Sequence, residues 1–226
     1  MIELHGWMTP NSRKMYYLLE DTDLEYRIHP VNIGQDEQFK PEFLEISPNN
    51  KTPALVDLDG PGGEPHAVFE TGAMLIYLAE KAGRFLPEDP RKRSVTLQWL
   101  MWQTGGVSPM FGQAGYFRGL DDQEGNAYAV ERFTKEANRL FGVMDRRLAR
   151  AEYLAGDEYT IADISTQPWT RMPERRGVNV DDYPNCKRWF DQINERPAVQ
   201  RANKIADSVR DAAAAAAGPI DPASLV

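Results

Sequence analysis

Between Gly83 and Pro90 (GRFLPEDP) the chain changes its pattern, and that change limits the fold more than any other feature. Before it, short alternating segments and helical segments follow one another. After it, no stretch reads as a strand. Ile2–Gly6 alternates, and Thr9-Pro10-Asn11-Ser12 then signals a turn and a helix start, with Asn11 or Ser12 read as the cap. Met15, Leu18 and Leu19 give that helix one apolar face. Glu25–Val31 alternates again, and Gln35–Ile46 is weakly helical around Pro41. Lys51–Leu58 reads as a strand opening at a proline. Asp59–Pro65 (DGPGGEP) reads as an enlarged turn, and Ala67–Phe69 as the returning strand. Leu75, Leu78, Ala79 and Ala82 recur at i, i+3, i+4 and i+7, the stripe of a helix that ends near Gly83.

The resulting order, β-α-β-α-β-β-α, fits a right-handed crossover unit followed by an antiparallel hairpin. That is the order of a thioredoxin-like α/β sheet. The expected domains are therefore 1–82, a thioredoxin-like unit; 83–90, a linker; 91–206, all-helical; and 207–226, a loose C-terminal tail. In the second part, Val95–Gln103 is a helical stretch that stops at Gly105-Gly106. Phe133, Ala137, Leu140, Phe141, Met144 and Leu148 make a strong helical stripe, and Tyr183–Glu195 and Ala198–Ala217 are further helices. Thr160-Ile-Ala-Asp163 has the spacing of a capping box, a folding device.

Composition narrows the chemistry. The formal net charge of −8 argues against a general nucleic-acid footprint. The one basic run, Arg171–Arg176 (RMPERR), reads as solvated surface. No apolar run reaches the roughly 18 residues that span a membrane, and the N-terminus lacks the pattern of a signal peptide. Cys186 is the single cysteine, so the chain has no intrachain disulfide and no CxxC motif, which fits a reducing compartment. Any thiol chemistry then uses a ligand's thiol or Cys186. His5, His29 and His66 have no metal-ligand spacing, so no metal is expected.

Four motifs carry a family resemblance: Thr9-Pro-Asn11-Ser-Arg-Lys14, Ser47-Pro-Asn-Asn-Lys-Thr-Pro-Ala54, Glu70-Thr-Gly-Ala73 and Thr160-Ile-Ala-Asp163. In this order the chain, from residue 1 to about 205, resembles the cytosolic glutathione transferases. It looks most like the bacterial Nu class, whose relatives include disulfide-bond oxidoreductases and Ure2-type proteins. The resemblance implies a glutathione site built on Thr52 before a cis Pro53, which holds an extended tripeptide by strand-like pairing. It implies that Glu70 pairs the γ-glutamyl ammonium. Thr71, at a helix N-terminus, would take the γ-glutamyl carboxylate. Lys51 meets the glycyl carboxylate on this reading, and Gln38 and Arg132 are further glutathione contacts. Trp7, Met8, Phe111, Tyr116 and Phe117 are either the wall of a second-substrate pocket or core. A homodimer in the cytoplasm is the family habit, and the partners would be small disulfides or electrophiles.

The same resemblance assigns thiol activation to the first loop, where Thr9 and Asn11 stand and no cysteine does. A thiol of ordinary pKa near 8.5 needs roughly 2.7 kcal/mol to drop two units. A helix N-terminus supplies about 0.3–1 kcal/mol, rising to about 2 when partly buried. Hydrogen bonds to a charged acceptor supply about 1.5–3 kcal/mol each. Thr9 and Asn11 are the expected donors. The expected activity is disulfide reduction with glutathione. Conjugation or thioether cleavage of small electrophiles, and a non-catalytic glutathione-binding role, are the alternatives.

Overall fold

The computed structural model describes residues 1–122, 124–215 and 219–225. In chain order the first elements are β1 (Ile2–Gly6), α1 (Pro10–Glu20), β2 (Tyr26–Pro30), α2 (Pro41–Leu44), β3 (Ala54–Asp57), β4 (His66–Phe69) and α3 (Thr71–Ala82). They are followed by α4 (Pro90–Trp102), α5 (Ser108–Arg118), α6 (Ala127–Leu148), α7 (Ile161–Thr170), α8 (Pro184–Asn194) and α9 (Pro197–Ala215). Contacts divide the chain into two compact units, Met1–Arg84 with Glu195–Val226, and Phe85–Asn194. The chain thus returns to its first unit after the second is built, which the chain-ordered domains expected from the sequence do not include.

In the first unit the strands lie in the order β2-β1-β3-β4, with β1 and β2 parallel and the other pairs antiparallel. This is the expected thioredoxin-like sheet. One face is apolar because Ile2 and Leu4 on β1 alternate with half-buried Glu3 and His5. Met15, Leu18 and Leu19 of α1 and Leu75 and Leu78 of α3 are fully or almost fully buried in this unit. Helix α3 stops where Gly83 takes φ +63, a left-handed turn that costs glycine no Cβ clash, and Arg84 N–H then reaches back to the Ala79 carbonyl.

Helix α9 packs along α1. Arg13 of α1 binds Asn203 Oδ1 at 2.8 Å and Asp207 at 2.6 Å, and Arg201 meets Glu20 at 2.8 Å. The helix expected over 198–217 is α9, helical to Ala215, so the segment from 207 drawn as a tail begins as helix; Ile220 then pairs with Ile28 of β2 through two backbone hydrogen bonds. The remaining positions of that stretch, 216–218 and 226, lie outside the described residues.

The second unit is all-helical. The helix expected to stop at Gly105-Gly106 continues through a π turn, Gln103–Val107, directly into α5. Two contacts explain it. Gln103 is buried and ties the turn together, donating to Ser108 Oγ at 2.6 Å and accepting from Ser165 Oγ. The glycines themselves are not forced by packing: a Cβ at Gly105 would meet nothing within 4 Å, and one at Gly106 or Gly112 would sit at ordinary contact distance, 3.8 Å from Leu140 or 3.7 Å from Trp169. The segment 108–118, where Gly112, Ala114 and Gly115 interrupt the pattern of larger side chains, is a regular helix. The capping box is present: Ala162 N–H donates to Thr160 Oγ1 at 3.3 Å, and Thr160 N–H donates to Asp163 at 3.1 Å. No helix among the described residues is long and apolar enough to cross a membrane.

Candidate functional site

Strand register gathers the motif loops. His5 pairs with Ala54, Ala54 pairs with Phe69, and Gly6 pairs with Pro30. The loop after β1, the segment before β3 and the junction after β4 therefore leave the sheet at one end. Those are the positions of Thr9–Asn11, Thr52-Pro53 and Glu70-Thr71. The Thr52–Pro53 bond is cis, as the resemblance implied. Val31, Phe43, Ala54 and the half-buried Ile46 cluster and fix the 31–50 segment against β3.

Thr9 is the N-cap of α1, in place of the expected Asn11 or Ser12. Its extended backbone (φ −107, ψ 157) lets Oγ1 accept from Ser12 N–H at 3.1 Å. Ser12 is buried beneath it, where its Oγ accepts from Trp7 N–H and from the Thr9 hydroxyl, both at 3.1 Å. This small network anchors the loop and aims the start of α1 at the gathered end of the sheet. Thr9 and Asn11 are both half-buried there.

The junction between β4 and α3 is strained. Glu70 has φ +68 and ψ 115, a conformation that costs a non-glycine residue roughly 1–3 kcal/mol. Its side chain does not cap α3; it accepts from Asn49 Nδ2 at 3.0 Å. The start of α3 consequently carries its positive dipole without a carboxylate cap from its own N-cap residue. Just inside that terminus Thr71 Oγ1 accepts from Nζ of Lys14, a wholly buried lysine of α1, at 3.1 Å. Burial pulls the Lys14 pKa down to about 7, against the Glu70 carboxylate, which raises it. Lys14 escaped sequence reasoning. Its one sequence signal was position, directly before the run Met15–Leu19 that supplies the apolar face of α1.

The remaining expected contacts are less uniform. Lys51 is exposed, and its carbonyl accepts from Ser47 Oγ at 3.0 Å. Gln38 lies in a 3-10 turn with Oε1 enclosed and without a hydrogen-bond partner among the described residues. Arg132 is exposed on α6 of the second unit, beside a cleft of about 600 Å³ that Tyr128 and Phe133 also line. The aromatic set divides. Phe111 is buried and stacked on Phe141 at 5.2 Å, so it is core, while Tyr116 is 62% exposed and Phe117 stacks on Phe133. Trp7 is buried and Met8 exposed.

Two other expectations meet the structure. Arg176, in the run read as solvated, is buried; it donates to the Arg171 and Met172 carbonyls and lies over the Phe111 ring at 5.5 Å. Cys186 is buried with its thiol on the Phe141 carbonyl at 3.6 Å, and burial pushes its pKa up, so it is a poor nucleophile. Three groups with metal-ligating atoms also meet on the sheet. His5 stacks on His29 at 4.4 Å, and His29 Nε2 is 3.6 Å from Glu3. Sequence spacing missed this cluster because parallel register, not a local motif, pairs residues 5 and 29.

Comparison with known proteins fits this geometry. Residues 9–81 match the glutathione S-transferase N-terminal domain, and residues 107–197 match the glutathione S-transferase C-terminal domain. The chain is 46% identical over 203 residues to the disulfide-bond oxidoreductase YfcG of Escherichia coli K12, across 89% of this chain and 94% of the relative. A glutathione transferase from Burkholderia graminis, solved with two glutathione molecules bound per subunit, superposes with a TM-score of 0.84 at 41% identity, covering 89% of this chain and 86% of that one. One from Pseudomonas putida, solved with one glutathione disulfide per subunit, gives 0.83 at 42%, covering 90% and 91%. With both halves matched and the thioredoxin-like sheet joined to an all-helical unit, the chain belongs to the glutathione S-transferase family.

Proposed function

We propose that the protein reduces disulfides with glutathione. The observation that carries this reading is the first turn of α1. It aims Thr9 and Asn11 at the gathered end of the sheet, and the chain's one thiol is buried elsewhere on Cys186. The nucleophilic sulfur must therefore arrive with the ligand. Asn11 and Thr9 donate to its thiolate, and the α1 dipole favours the same charge. Thr9 must rotate its hydroxyl away from Ser12 to do so, which gives Asn11 the larger share. Glu70 pairs the γ-glutamyl ammonium, Thr71 and the α3 terminus take the neighbouring carboxylate, and Thr52 pairs the cysteinyl backbone. Pro53 shapes that edge. Lys51 meets the glycyl carboxylate, and Gln38 binds a further group of the ligand.

The reaction balances as one disulfide and two glutathiones going to two thiols and glutathione disulfide. One thiolate attacks a disulfide sulfur, the first thiol leaves with a proton, and a mixed disulfide remains. A second glutathione thiolate attacks the glutathionyl sulfur and releases the second thiol. A solved relative with two glutathiones per subunit and another with glutathione disulfide support this stoichiometry. A homodimer in a reducing cytoplasm completes the reading, supported by the family resemblance and by a chain without disulfides.

The test is turnover of bis(2-hydroxyethyl) disulfide by the purified protein with glutathione, coupled to glutathione reductase, with aryl halide conjugation run beside it. Fast disulfide turnover with weak conjugation is expected. Strong conjugation without disulfide turnover would overturn the reading and move the enzyme to the conjugating group.

A further inference from the structure

The mechanism above leaves Lys14, a buried ionisable group of the first unit, unused. Lys14 has no solvent exposure, yet its Nζ lies 3.1 Å from Thr71 Oγ1, at the first residue of α3. A lysine ammonium donates and cannot accept. A threonine hydroxyl has one proton, so a hydroxyl that accepts from an ammonium keeps that proton for another acceptor. The start of α3 is where the unit gathers its other ligand-facing features: a strained Glu70, a carboxylate turned away from capping, and an Asn49 that holds it. From the buried side, then, a positive group polarises the hydroxyl. On the exposed side Glu70 supplies a negative one.

We propose that Lys14 is a positioning residue for the α-amino-acid head of the γ-glutamyl group, acting through Thr71. Its hydrogen bond commits the Thr71 hydroxyl to donate outward to the carboxylate, while Glu70 receives the ammonium. The buried positive and exposed negative charges match a zwitterion, and they reject a ligand that carries only half of it. The inference rests on the glutathione reading of the site. The pKa near 7 is consistent with it, because an anion bound at Thr71 favours the ammonium form of Lys14.

Two glutathione analogues separate the roles. 4-Aminobutanoyl-Cys-Gly keeps the amine and lacks the α-carboxylate; glutaryl-Cys-Gly keeps the carboxylate and lacks the amine. Calorimetry on Lys14→Met is expected to show at least about tenfold weaker binding of glutathione and of glutaryl-Cys-Gly, the scale of a charged hydrogen bond. Binding of 4-aminobutanoyl-Cys-Gly should stay within about twofold of wild type. Equal losses for all three ligands would make Lys14 merely structural and overturn the proposal, as would no loss at all.

Thr71→Val tests the relay with Lys14 in place, should Lys14→Met fail to fold. It should erase the preference for glutathione over 4-aminobutanoyl-Cys-Gly, and Thr71→Ser should restore it. A preference that survives Thr71→Val overturns the relay. Wild-type protein that binds none of the ligands sinks the glutathione reading itself, a result distinct from either.

Discussion

Lys14 in the sheet unit and Asp163 in the helical unit are both completely buried, and the two are treated in opposite ways. Asp163, in the helical unit, accepts from Leu154 N–H, Thr160 N–H, the Thr160 hydroxyl and Trp189 Nε1–H, at 2.8–3.2 Å. Those donors belong to the start of α7, the loop before it and α8, so the carboxylate stitches the unit together. Lys14, in the sheet unit, donates a hydrogen bond to a hydroxyl at the start of α3, where ligand-facing groups collect. Burial acts on both against the charged form, raising the Asp163 pKa and lowering that of Lys14 to about 7. The contrast separates two uses of a buried charge. One surrounded by its own chain's dipoles serves folding. One joined to a polar group at a helix terminus is available to recognition.

The strongest way to break that contrast is Asp163→Ala, which strands several donors at once. A stability loss of about 3–5 kcal/mol is expected by urea denaturation; a loss below about 1 kcal/mol would remove Asp163 from the comparison. Next comes Asn11→Ala. Turnover of a model disulfide should drop about 10–100-fold, matching a charged hydrogen bond of about 1.5–3 kcal/mol. An unchanged rate, with an unchanged pKa of the bound thiol, would take Asn11 out of the site.

The pH dependence of stability sharpens the Lys14 side. Its folded pKa of about 7 lies below the unfolded value of 10.5. Between these values the unfolded chain binds the extra proton, so this group makes the folded state more stable as pH rises. The contribution is at most about 1.4 kcal/mol per pH unit. Subtracting the curve of Lys14→Met from that of wild type between pH 7 and 9 should leave a positive slope. A flat or negative difference would mean that Lys14 is solvated after all. Smallest of all, Cys186→Ala should leave disulfide turnover within about twofold, with thiol reagents reaching Cys186 in wild type only on unfolding.

What the sequence made legible was local. The capping box of Thr160 and Asp163 spans three residues, and its two hydrogen bonds are where that spacing puts them. The order of strands and helices in residues 1–82 was readable because each element has its own period and its own punctuation. The gathered site loops were readable only through the family motifs, since register decides which loops share an end of the sheet. Lys14 and Thr71 stand 57 positions apart, and His5 and His29 meet only through parallel pairing. The misreadings have one cause. Gly105-Gly106 and the basic run around Arg176 were judged by the usual habits of those residue types. Tertiary partners, a buried Gln103 and the Phe111 ring, decided otherwise.

The pairing of Ile220 with Ile28 bears on how this protein stays apart from its neighbours. Strand β2 is the outer strand on its side of the sheet. An outer strand with open amides and carbonyls is a template for unwanted pairing between molecules. The late C-terminal residue occupies both backbone groups of Ile28, at 2.9 and 2.7 Å. The end of the chain therefore works as a guard on that flank. A version cut after Ala215 should keep its site and its secondary structure, yet self-associate more readily as concentration rises.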